Sequence, residues 1–246
     1  MPALAIDTST EICSVALGPG GEPPDEIAID AGRTHLEVLL PAVEELLGRQ
    51  GVTAAALELI VAGTGPGTFS GLRVGIATAR ALAQALEIPI TGSSSLAALA
   101  AATAASTELT SLAATAESPA ILPVIDARRG QVFAQIYRTN GGGIEPGSEI
   151  FCLSPDELIA QVSKTAGATV AVGNGVLAYH DLFAASPLRL PLPASGLHRI
   201  SAAWHLPGEP VRLKYSPADL LAVKPVYVRA PDADKTVLLR KREPWL

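Results

Sequence analysis

Asp7-Thr8-Ser9-Thr10-Glu11 stands between an apolar run, Leu4-Ala5-Ile6, and an alternating one, Ile12 to Leu17. A carboxylate that opens a hydroxyl-rich turn can hold a metal-bound phosphate through its oxygens and the turn amides. The same residues can equally bond to their own turn. A second candidate is Gly63-Thr64-Gly65-Pro66-Gly67-Thr68-Phe69-Ser70-Gly71, fed by the apolar stretch Leu57 to Ala62. Strand, glycine loop and helix in that order present free N–H groups to an anion. No lysine occurs in this loop, so it is not a Walker A motif. Thr68 stands where the third glycine of a dinucleotide fingerprint would be. A packing turn that binds nothing is the alternative. With Asp126, the candidate phosphate-binding residues are Asp7, Thr8, Ser9, Gly65, Gly67, Thr68 and Ser70.

Other chemistry is poorly supplied. The four histidines, His35, His180, His198 and His205, include no pair three or four apart on a helix, so no metal site is expected. His35 reads as a capping or surface residue. Cys13 and Cys152 are distant and read as reduced core residues. Ser70 has no identifiable base. No catalytic residue is assigned, and no cofactor is expected.

These loops need elements to hold them. A helix after the glycine loop should run to about Leu86, with Arg73, Arg80 and Gln84 on one stripe. Thr68 or Ser70 can cap it. Gly71, Gly75, Ala79 and Ala83 recur every four residues, which predicts another helix packed closely against that row. Thr34 to Arg49 reads as an amphipathic helix carrying Leu36, Leu39, Leu40, Val43 and Leu47 on one face, with Pro41 kinking or restarting it. Together Leu36, Leu39, Leu40, Val43, Leu47, Gly71, Leu72, Gly75, Ile76 and Ala79 form an expected partner interface. On that reading Gly75→Leu abolishes association; if the Asp7 turn is a vestigial phosphate site, Asp7→Ala changes stability only modestly.

With 246 residues the chain can form one large domain or two modest ones. Ile125-Asp126 repeats the opening hairpin: apolar residues follow Asp126 at 132, 134 and 136, as they follow Asp7 at 13, 15 and 17. This suggests a first domain over 1–106, an Ala/Ser/Thr-rich connector over 107–120, and a smaller second domain over 121–246 ending in a basic tail. A turn is expected at Asn140 to Gly143, and Val172-Gly173-Asn174-Gly175 is another strand-to-glycine step. A net charge of −6 argues against a broad nucleic-acid surface. No signal precedes Ala3-Leu4-Ala5-Ile6 and no apolar run has membrane-spanning length, so a cytoplasmic protein without membrane contact is expected.

The chain resembles the bacterial TsaB (YeaZ) family. The resemblance is carried by Leu4 to Glu11, by His35 with Leu39-Leu40-Pro41, and by Gly65 to Gly75. Ile125 to Arg128, Val172 to Gly175 and Pro225-Val226-Tyr227-Val228-Arg229 complete it in the same order. It implies an α/β chain of actin-like ATPase or sugar-kinase (RNase H-like) fold, with two related domains, each a mixed β-sheet flanked by helices. It also implies a non-catalytic scaffold in making N6-threonylcarbamoyladenosine in tRNA. The implied partners are a TsaD-like catalytic subunit and a TsaE-like ATPase. Alone, a homodimer is expected, and contact with tRNA would be indirect or weak. The alternative is an ATP-dependent phosphotransferase or ATPase of the actin-like superfamily. A metallopeptidase lacks ligands.

Overall fold

Side chains of a strand alternate between faces, and the first strand uses both. In the computed structural model Pro2–Asp7 forms β1, which sends Leu4 and Ile6 to one core and Ala3 and Ala5 to another. The structure describes residues 2–19, 24–107, 109–110, 119–139, 143–165, 167–191, 199–207 and 213–229. Most of the expected connector, residues 140–142 of the expected turn, His198 and the basic tail lie outside these residues.

β1 pairs antiparallel with β2 (Ile12–Pro19), which pairs antiparallel with β3 (Asp25–Asp30). On its other edge β1 runs parallel to β4 (Leu59–Gly63), and β4 to β5 (Ile90–Ser93). The order is β3-β2-β1-β4-β5. The Leu4/Ile6 face is covered by α1 (His35–Arg49) and α2 (Phe69–Leu86). α1 continues through Pro41 as one helix. The opposite face is alanine-rich, and its small side chains let a short 3-10 turn, Ala202–His205, lie directly on the sheet.

A second sheet forms around β6 (Ala120–Asp126). β7 (Val132–Ala134) and β8 (Tyr137–Thr139) both pair antiparallel with it, at different stretches. Their outer neighbours are β10 (Phe151–Leu153) and β9 (Ile144–Pro146) respectively. The break falls at Gln135-Ile136, where Ser148 accepts from Ile136 N (3.0 Å) and its carbonyl accepts from Gln135 Nε2 (2.7 Å). β11 (Thr169–Val172) lies parallel to β6. Taken end to end, the broken arms, β6 and β11 reproduce the succession β3-β2-β1-β4, and a parallel bridge from Val170 to Arg189 stands in the place of β5.

α4 (Pro155–Thr165) begins with a reciprocal cap. Ser154 N donates to Glu157 Oε2 at 3.0 Å, and Glu157 N donates to Ser154 Oγ at 3.4 Å. α5 (Asn174–Ala178) and α6 (His180–Ala184) follow β11. α3 (Ser95–Ala104), capped by Ser94 accepting from Ala97 N, packs with β6 in a core on one face of the second sheet.

The assignment of everything after 120 to a second domain needs correction. Ala202 joins the alanine-rich face of the first sheet, while Leu220 and Val223 join its main core. Leu220 belongs to α7 (Pro217–Ala222), which packs on α2. The chain therefore returns to the first lobe near its end, because that sheet has apolar area on both faces and local sequence covers only one.

Candidate functional site

The two Ile-Asp hairpins close in the same way. Asp7 Oδ1 accepts from Ser9 N and Asp126 Oδ1 accepts from Arg128 N, each at 2.8 Å. These are carboxylates bonding their own turns two residues on. Asp7 is then sealed completely. Ser9 Oγ donates to Oδ1 at 2.6 Å, Ser95 Oγ to Oδ2 at 2.6 Å, and His205 Nε2 to Oδ2 at 2.9 Å. Burial is the largest influence on this carboxyl and pushes its pKa up. The His205 hydrogen bond and charge, with the Ser9 and Ser95 hydroxyls, outweigh that and hold it below the usual value.

The glycine row explains the burial. Thr8 Oγ1 donates to the Gly71 carbonyl at 2.7 Å. A Cβ on Gly71 would meet the Thr8 carbonyl at 2.1 Å, and one on Gly75 would meet Thr8 Oγ1 at 2.2 Å. The small-residue face of α2 therefore seats the Asp7 turn, where another helix was expected. The glycine loop itself fills the remaining space: Thr68 N donates to the Ser9 carbonyl at 2.7 Å.

Two sets of expectations change accordingly. As a phosphate cradle, Asp7, Thr8 and Ser9 are at most 1% exposed and their polar groups bond within the chain. Gly65 is buried against Leu72. These four leave no room for a phosphate. Gly67, Thr68 and Asp126 do come together, lining one cavity between the lobes, while Ser70 is exposed and does not line it. Thr68 occupies the N-cap position of α2 without a side-chain cap.

As a partner interface, Gly71, Leu72, Gly75, Ile76 and Ala79 are buried in the chain's own interior, as are Leu39, Val43 and Leu47. Only Leu36 and Leu40, at 75% and 48% exposure, remain outward. Both lie at the edge of the apolar stripe, beside the core-facing line of Leu39, Ala42, Val43 and Leu46. His35 is not a surface residue; it is buried with Nε2 2.9 Å from the Thr10 carbonyl.

Between the lobes, Asn174 Nδ2 donates to both Glu11 carboxylate oxygens at 3.1 and 3.2 Å, and Arg128 reaches Glu11 at 3.5 Å. Asn174 Oδ1 also accepts from Asp126 N. The last described stretch straps the cleft: Val226 N donates to the Thr64 carbonyl at 2.8 Å, and Arg229 Nη2 donates to the Arg128 carbonyl at 3.3 Å. Among the described residues no group of three or more His, Cys, Asp or Glu side chains is placed to hold a metal. No helix among them is long and apolar enough to cross a membrane.

A family model described as "TsaD: tRNA N6-adenosine threonylcarbamoyltransferase" matches residues 20–189. A tRNA threonylcarbamoyladenosine biosynthesis protein TsaB from Escherichia coli is 32% identical over 236 residues, 93% of this chain and 95% of that protein. The chain belongs to the TsaB (YeaZ) family. A TsaB from Bacillus subtilis is 35% identical over 145 residues, 59% of this chain and 58% of its own length. The solved structure of YeaZ from Pseudomonas aeruginosa superposes with a TM-score of 0.68 at 26% identity, covering 92% of this chain and 99% of that one. The two mixed sheets flanked by helices share the fold of that solved structure, and their matching strand succession agrees with the duplication that the repeated hairpin suggests.

Sequence reasoning missed His205, Ser95, Glu11 and Asn174. His205 sits in a proline-rich stretch with little periodicity. Its apolar context, Ala202-Ala203-Trp204-His205, was the available sign of burial.

Proposed function

We propose that this TsaB-family chain serves tRNA threonylcarbamoyladenosine biosynthesis as a non-catalytic scaffold for a TsaD-type transferase. A TsaE-type ATPase joins the pair, and a second copy replaces the transferase when the chain is alone. The observation that carries the non-catalytic reading is the filled Asp7 turn. A phosphotransferase of this architecture needs that turn open to a phosphate, and here the glycine loop and α2 occupy it. The ATPase alternative loses its principal residues with it. Relatives named for this pathway support the role in tRNA threonylcarbamoyladenosine biosynthesis.

The buried small-residue row cannot be the docking face, so the reading shifts to the outer edge of the α1–α2 pair. Leu36 and Leu40 stand exposed one turn apart on α1, which packs against α2. Exposed large apolar side chains grouped on one surface mark a protein-binding face better than scattered ones do.

Reconstitution tests this. The purified chain, a TsaD-type subunit, tRNA and threonylcarbamoyl-adenylate are combined, together and with each protein omitted. Modified tRNA should require both proteins, and the chain alone should give none. Leu36→Glu with Leu40→Glu should keep native circular dichroism and lose both association and product. Product from the chain alone would overturn the scaffold reading; undiminished association of the double variant would overturn the docking face.

A further inference from the structure

The turn Ala202–His205 lies on the side of the first sheet away from α1 and α2, over the small side chains of Ala3, Ala5 and Ala16. Of its four residues only Ala202 and His205 are buried, and Trp204 is 42% exposed. Burying one alanine side chain gives little apolar attachment. The turn is held instead by two carboxylates, one at each end.

At its start, Glu26 of β3 accepts from Ser201 Oγ at 2.9 Å and from Ala202 N at 3.2 Å. Ser14 Oγ donates to the same carboxylate and accepts from Ala202 N at 2.8 Å. Arg199 approaches Glu26 at 3.9 Å. At its end, His205 Nε2 donates to Asp7 Oδ2 at 2.9 Å, with both side chains sealed from water. His205 Nδ1 is buried with no partner among the described residues.

The turn packs against β1, β2, β3, β4 and α3. Among the described residues of these elements, the acids that face it are Asp7 from β1 and Glu26 from β3. Asp25 of β3 bonds Gln50 instead, and Asp30 is exposed. Cys13, the one titratable side chain of β2, belongs to the opposite core, and β4 and α3 carry none. A neutral carboxylic acid accepts hydrogen bonds more weakly than a carboxylate. Protonating Asp7 also leaves a buried imidazole beside an uncharged group, whereas a released imidazole reaches water and takes up a proton in acid. Both ends therefore loosen as pH falls, and little apolar area holds the middle.

We propose that residues 201–205 form an acid-released latch, which comes off the first sheet while the rest of the fold stays intact. Burial pushes the Asp7 pKa up, but the bonds from His205, Ser9 and Ser95 hold it below its usual value. The latch is accordingly shut at neutral pH and opens only as pH falls below the ordinary carboxylate range. Opening bares Ala3, Ala5 and Ala16 on the face away from α1, so the device stands apart from the scaffold reading.

The turn carries its own reporter. The chain has two tryptophans, so Trp245→Phe leaves Trp204 as the sole emitter in an otherwise full chain. Acrylamide quenching of Trp204 and far-UV circular dichroism are followed together as pH is lowered from neutrality. Quenching should rise at a higher pH than the one at which helical signal is lost. Glu26→Gln in this background removes the charge at one end. It should move the quenching midpoint towards neutrality and raise the open population about tenfold at a given pH. If Glu26→Gln fails to fold, Ser201→Ala replaces it, since that change deletes one bond at the same end. A single midpoint shared by both signals overturns the proposal, and so does a separate quenching transition that the end variant leaves in place.

Discussion

Asp7 shows how a residue suited to phosphate chemistry becomes structural. Its oxygens take four hydrogen bonds inside the chain, so substitution leaves Ser95 and His205 facing an empty acceptor. Leaving buried hydrogen-bonding groups without their partner costs about 1–3 kcal/mol each. Asp7→Ala should therefore lower the denaturant midpoint sharply, against the modest effect its sequence context suggests. Linkage gives a pH signature. The folded-state pKa of Asp7 is depressed, so its contribution is fully present above the ordinary carboxylate pKa near ~4 and drains away as pH falls through the lower folded value. Urea titrations of the wild type and Asp7→Asn should thus converge in acid and separate towards neutrality. A constant difference across that range would remove Asp7 from the ledger of acid stability.

Cys13 offers a second check at the same scale. Burial, and then the nearby Asp7 charge, push its thiol up to about 11. A thiol so protonated and covered is a poor nucleophile. At neutral pH a thiol reagent should label half-buried Cys152 in the native chain and reach Cys13 only after denaturant is added.

At the scale of elements, the sequence revealed which helices exist and how closely one is approached, but not by what. Gly71 and Gly75 announced a close contact through their spacing. The partner proved to be Thr8, 63 residues upstream of Gly71, and no local pattern encodes that pairing. The consequence for Gly75→Leu is a folding defect. Even the first added carbon overlaps Thr8 Oγ1, and overpacking of this kind costs about 1–3 kcal/mol or more. Gly75→Ala should already lower the melting temperature, with association of the surviving folded fraction unchanged. On α1 the apolar stripe was legible but its edges were not. Leu36 and Leu40 share the stripe with Leu39 and Val43, and only the placement of the sheet decides which pair turns outward.

For the whole molecule, the repeated Ile-Asp hairpin was legible because both copies use the same apolar spacing and the same carboxylate turn. The strap over the cleft was not, since Pro225 to Arg229 has no periodicity to betray its destination. The lobes meet through Glu11, held by Asn174 and Arg128 at partly exposed positions. Exposed ion pairs add about 0–1 kcal/mol, so Glu11→Ala should barely alter global stability. It should instead loosen the lobes, seen as a larger radius of gyration by X-ray scattering at unchanged melting temperature.

The return of the chain to its first sheet also bears on how it is made. Translation is vectorial, and lobes of a nascent chain usually fold in the order they emerge. Here, among the described residues, Ala3, Ala5, Ala16, Leu59 and Val61 gain their cover from Ala202 and its neighbours, and Asp7 gains His205 from the same turn. Until that turn leaves the ribosome, the earliest-synthesised sheet keeps one apolar face bare and a carboxylate short of a partner. The first lobe to be made is thus the last to be finished, and a nascent chain stalled before residue 199 should be a ready client for chaperones that hold exposed apolar surface.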